Sequence, residues 1–140
     1  MARRRRYRLA DTAQQIVGGF LLAGPFVVTE EVWGLAGEMT IWHGMATAIL
    51  VAIIGYGALY QADDGRDPDT EAEVAGLPVR FLSLLGVAFG SVAVLALLLN
   101  APASFLSGER TATQVATTLK VISVGAIFSV VGAATADSIF

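Results

Sequence analysis

The sequence predicts an all-α, polytopic membrane protein of four transmembrane helices with both termini on the cytoplasmic side. Three observations carry this expectation. Four apolar stretches, at about 13–33, 41–62, 81–100 and 116–136, each come close to the ~20 residues a helix needs to cross a bilayer. The 140 residues are 55% hydrophobic and 15% charged, with mean hydropathy +0.67, more apolar surface than a water-soluble domain of this size can bury. Finally, Arg3, Arg4, Arg5, Arg6 and Arg8 precede the first stretch and Arg66 and Arg80 flank the connection between the second and third. The last connection holds only Arg110, with Lys120 just inside the fourth stretch. Lysine and arginine in short loops set orientation, so these residues put the N-terminus inside.

The composition also excludes. Cysteine is absent, which removes disulfides, thiolate metal sites and cysteine nucleophiles. His43 is the single histidine, so no multi-histidine metal site can form within one chain. No HExxH motif and no serine–histidine spacing is present, so no enzyme and no cofactor are expected; the question of a metal stays open. Nothing points to nucleic acid. The N-terminal arginine run reads as a topological anchor, with anionic lipid or a partner as the alternative. The start is not read as a cleaved signal, because its apolar region is too long. Residues 1–140 are therefore expected to form one transmembrane domain of the cell membrane, with no soluble catalytic module appended.

The first stretch begins after Asp11 and Thr12, a plausible N-cap, and carries Gly18, Gly19, Gly24 and Pro25. A kink is expected near Pro25, since proline removes the bond to the Leu21 carbonyl. The short connection 34–38 predicts a tight antiparallel hairpin with the second stretch, whose Trp42, His43, Tyr56 and Tyr60 mark two interfaces. The connection 63–77 is rich in Asp and Glu and is expected to be cytoplasmic, solvated and mobile. Gly86 and Gly90 form a GxxxG pattern in the third stretch, and Gly125, Ser129 and Ala133 repeat the small-residue theme in the fourth. In lipid such faces allow close helix approach, within the chain or between copies.

The residues that could carry chemistry cluster at the outer level. On a helical wheel of about 100° per residue, Asp11, Gln15, Gly18, Leu22, Thr29 and Trp33 share one face, with Gly19, Phe26 and Glu30 on its edge. Glu31 points roughly the other way. Glu30, Glu31 and Thr29 are the candidate ion-binding residues, since an ionisable group in a span marks a functional site by default. The alternative is an interfacial ion pair of the glutamates with Lys120 or Arg110. His43 and Lys120 are candidates for gating or modulation, and Pro25 with Gly18, Gly19 and Gly24 for a hinge.

The run from Gly18 to Trp33 resembles the first span of a family of small integral membrane proteins, a domain of unknown function that includes chains from salt-loving archaea. Thr29, Glu31 and Trp33 match that family's Thr-x-Glu-x-Trp signature. The resemblance covers most of the chain and implies a multi-span membrane protein, shorter than other members, with no established activity. The run 29–33 is also similar to the selectivity-filter motif of voltage-gated sodium and calcium channels. The order of features resembles the store-operated calcium channel subunit, which implies a ring of Glu30 or Glu31 around a pore lined by the first span. A single four-helix bundle has no room for a water-filled path, so conduction requires a homo-oligomer. The leading expectation is an oligomeric cation channel or permeation pathway. A non-catalytic scaffold or accessory subunit, and a proton-coupled small-solute carrier, are the alternatives.

Overall fold

Long apolar runs interrupted by Pro, Gly and Asn give a chain of helices joined by tight corners. The computed structural model describes residues 9–61, 73–74 and 76–139. The described residues form six α-helices: α1 (Leu9–Val27), α2 (Glu30–Glu38), α3 (Ile41–Tyr56), α4 (Val79–Leu98), α5 (Ala101–Phe105) and α6 (Thr111–Ile139). A π-helical turn, Gly57–Gln61, extends α3. Two short strands, β1 (Glu73–Val74) and β2 (Leu77–Pro78), pair antiparallel just before α4, and Gly76 supplies the positive φ of their turn. Most of the acidic connection 63–77 lies outside the described residues, and with it the expectation that this loop is solvated and mobile.

Among the described residues, three segments are long and apolar enough to cross a membrane: Ile41–Tyr60, Val79–Leu98 and Thr111–Ser138. The first predicted stretch, 13–33, is not one helix. It breaks after Val27, and α1 and α2 meet at 81°; the pair would count as a fourth span only if taken together. The break has a local cause. Pro25 has no N–H to give the Leu21 carbonyl, so the last turn of α1 is already weakened, and Thr29 adopts extended backbone (φ −99°, ψ 130°). The tight hairpin expected between the first two stretches is absent for the same reason. α2 is inserted between them at a steep angle, and α1 and α3 each pack on α6 rather than on each other.

α6 is the central helix. It packs against α1, α2, α3 and α4, and half of its apolar window is buried, against 11% for that of α3. Two apolar clusters lie along it. One gathers Val51, Leu59, Phe81, Leu84, Val130 and Ala133 from α3, the π turn, α4 and α6. The other gathers Ala23, Val27, Trp33, Val92, Ala101 and Val121 from α1, α2, α4, α5 and α6. The outer faces are apolar too: Leu21, Ile53, Leu97 and Leu119 are each at least 60% exposed. Such a surface is compatible with a membrane protein, where lipid rather than water is the solvent.

The closest helix approach is the crossing of α1 and α6 at Gly18 and Gly132. A Cβ on either glycine would overlap the carbonyl of the other, so backbone lies directly on backbone. Gly18→Leu or Gly132→Leu is therefore expected to destabilise the bundle by about 3 kcal/mol or more, the upper end for overpacking, because main chain cannot yield as a side chain can. Gly24→Ala meets open space and should change stability by less than about 1 kcal/mol. Detergent-titrated unfolding followed by circular dichroism measures both; equal effects would contradict the crossing.

Candidate functional site

The most concentrated polar chemistry in the described residues is buried where α1 and α4 begin and α6 ends. Arg80 Nη1 donates to both oxygens of Asp137, at 2.7 and 2.9 Å. Its Nη2 donates to Asp11 Oδ2 at 3.2 Å. Gln15 Nε2 donates to Asp137 Oδ2 (3.1 Å) and to the Arg80 carbonyl (3.5 Å), while its Oε1 accepts from Ser83 Oγ at 2.8 Å. Arg80, Asp137 and Gln15 are all buried; Asp11 closes the solvent side. The network ties three helices that are far apart in sequence, and each member supplies what another needs.

Helix dipoles do not explain it. Arg80 is in the first turn of α4 and Asp137 in the last turn of α6, the ends where a cation and an anion are each disfavoured. They are held there by each other. Further along the same seam, Ser129 Oγ donates to the Gly19 carbonyl (3.1 Å) and Ser91 and Ser129 share a 2.7 Å hydrogen bond. The sequence shows half of the network: Asp11 and Gln15 lie on the partly polar face predicted for the first stretch, whereas Arg80 reads as the flank of a connection and Asp137 follows the fourth stretch with no pattern to mark it.

The expected outer cluster is not assembled. Glu30 and Glu31 lie exposed in the first turn of α2. Among the described residues neither forms an ion pair with Lys120 or Arg110. Acidic residues there do complement the α2 dipole. Thr29 and Trp33 hold the break itself. The Thr29 hydroxyl donates to the Phe26 carbonyl at 3.2 Å, and the Trp33 indole donates to the Val27 carbonyl at 2.8 Å. These satisfy carbonyls that the end of α1 leaves without helical partners. Trp33 is buried and stacks on Phe105, with ring centroids 5.6 Å apart.

His43 has a capping role. Thr40 Oγ1 accepts from the His43 backbone N–H (3.3 Å), and His43 Nδ1 accepts from the Thr40 backbone N–H (3.0 Å), a reciprocal box at the start of α3. Lys120 instead lies across Gly44, in a groove between α3 and α6. Gly18 and Gly19 are contact residues of the α1 crossing rather than a free hinge, whereas Gly24 faces open space. Gly125 packs on Val92, and Ser129 packs within the chain. Gly86 and Gly90 do not: a Cβ on either would meet nothing within 4 Å. They line an open apolar groove of about 310 Å³ between α1 and α4, with Ile16, Phe20, Val87 and Val94.

No family model matches the chain, and neither the curated proteins nor the solved structures contain a match. Among the described residues, no group of three His, Asp or Glu side chains is gathered closely enough to hold a metal ion.

Breaking one partner of the buried network leaves the other charged and unpaired. Asp137→Leu is expected to cost about 3–5 kcal/mol, and Arg80→Met with Asp137→Leu together to recover most of it. A cycle of the two variants by detergent-titrated unfolding measures the coupling; additive losses would contradict the pairing. At the α3 cap, His43→Ala should cost about 1 kcal/mol, and His43→Gln, which retains an acceptor, much less.

Proposed function

We propose that the chain is a four-span protein of the cell membrane, with cytoplasmic termini, that acts as a non-catalytic scaffold or accessory subunit and self-associates through the Gly86–Gly90 face of α4. The bent pair α1 and α2 would form the first span together. The arginine-rich N-terminus favours this orientation. We also propose kinship with the small membrane proteins whose Thr-x-Glu-x-Trp run it shares.

One observation carries the assembly reading. Gly18, Gly19, Gly125, Ser129 and Gly132 of α1 and α6 are filled by contacts within the chain, while Gly86 and Gly90, one turn apart on α4, are left open together on an apolar groove. Small residues on a helix face in lipid support close helix association. The buried charges support the same reading, since they are engaged with one another and bind the bundle into a body.

A cation pathway is the second reading, favoured by two adjacent exposed carboxylates, Glu30 and Glu31, at the break between α1 and α2. The lining of α1 counts against it. Its polar Gln15 and its small Gly18 and Gly19 turn inward, and its exposed face carries Ile16, Val17, Leu21 and Leu22. A ring of α1 helices would therefore present apolar side chains to the path. The carrier reading has less support, since the break lies at the far end of α1 from the buried polar network of Asp11, Gln15, Arg80 and Asp137.

Gly86→Leu and Gly90→Leu fill open space, so they should leave helicity and unfolding unchanged. Each is expected to weaken self-association in vesicles about tenfold or more, read by energy transfer between labelled copies. Monomeric wild type, or association indifferent to both changes, would refute the assembly reading. Cation flux into vesicles that is abolished by Glu30→Gln and Glu31→Gln would establish the second reading instead.

A further inference from the structure

The groove between α3 and α6 differs from the one at Gly86 and Gly90 in carrying a charge. Its volume is about 280 Å³, and its walls include Gly44, Met45, Ala48, Leu119, Lys120 and Ser123. All but two of these are apolar or glycine. The Ser123 hydroxyl is already engaged, donating to the Leu119 carbonyl at 3.2 Å. Lys120 is the charged wall residue, and among the described residues no carboxylate forms an ion pair with it.

We propose that this groove binds one anionic phospholipid, with an acyl chain along the apolar floor and the phosphate at the Lys120 ammonium. The site rests on the membrane reading above. Depth supports it. Gly44 is in the first turn of α3, beside Trp42, which is 73% exposed and suited to the headgroup level. A Cβ on Gly44 would lie 3.5 Å from Lys120 Cγ, so the lysine stem passes at that same level. Side chains on a helix lean toward its N-terminus. Lys120 therefore leans toward the start of α6, away from the hydrocarbon, with its stem on the groove wall and its ammonium at the mouth. An ammonium at that position without a protein counter-ion is balanced by an anion from the lipid.

Full-length protein is reconstituted into vesicles of mixed phosphatidylcholine and phosphatidylglycerol, then released for native mass spectrometry. Wild type is expected to retain one phosphatidylglycerol in preference to phosphatidylcholine. Lys120→Gln should lower that retention about fivefold, the weight of one lysine near an anionic surface, and Lys120→Arg should keep it. Ala116→Leu, on the exposed groove wall, should expel the lipid with the charge intact. Equal retention of both lipids, no effect of Lys120→Gln, or cross-linking of the groove to a second copy would each overturn the site. Protein that fails to co-float with vesicles would remove the membrane reading as well; protein that co-floats without lipid preference would remove only this site.

Discussion

A guanidinium bound to two carboxylates, at the meeting point of three helices, is the constraint on which the rest of this bundle depends. Arg80 and Asp137 occupy helix ends whose dipoles oppose their charges. Each is therefore acceptable only while the other is in place. Gln15 and Ser83 complete the hydrogen bonding, so the position of α1 along α4 and α6 is set by polar geometry as well as by packing. Apolar contacts alone are a weak guide to register when the surroundings are themselves apolar. The Gly18–Gly132 crossing lies one turn along α1 from Gln15, so backbone contact and the polar network hold the same stretch of α1 against α6.

At the opposite end, the break after Val27 plays a comparable part. Ending a helix inside an apolar body strands carbonyl groups, and here the Thr29 hydroxyl and the Trp33 indole answer two of them. Trp33 also fills the second apolar cluster together with Val27 and Ala101. In the run from Thr29 to Trp33, the two end residues thus each have a structural role. Its Glu31 faces outward and is the position that this account leaves to function.

Much of the architecture was legible because long apolar runs can do little other than form helices. The second, third and fourth stretches correspond to α3 with its π turn, α4 and α6. In the first, the kink expected at Pro25 is present, but a proline does not say how far a helix will bend, and the turn of 81° divides the stretch into two helices. The bend is stabilised by Trp33, a residue that reads equally well as an interface marker. The site was less legible still. Glu30 and Glu31 drew attention as acids within an apolar run, yet they sit on a short helix turned aside from it. Arg80 and Asp137 each lie just outside an apolar stretch, where a charged residue carries no sign of burial; Arg80 alone reads as the flank of a connection. The readable signal was their placement against the helix dipoles, at the same end of antiparallel helices. The partner of a small-residue face was likewise hidden: Gly125 packs inside the chain and Gly86 does not, although their surroundings in sequence are alike.

The network binds α1, α4 and α6 together, and the contacts proposed with other molecules fall on the outward surfaces at Gly86 and Lys120. The central claim is that Arg80 and Asp137 are paired in the interior. Solid-state NMR in bilayers, with 15N on Arg80 and 13C on Asp137, tests this most directly. An Nη1 atom 2.7 and 2.9 Å from the two carboxylate oxygens predicts a strong dipolar coupling to the carboxyl carbon and guanidinium protons shielded from water. A guanidinium with no such coupling and in rapid exchange with water would contradict it.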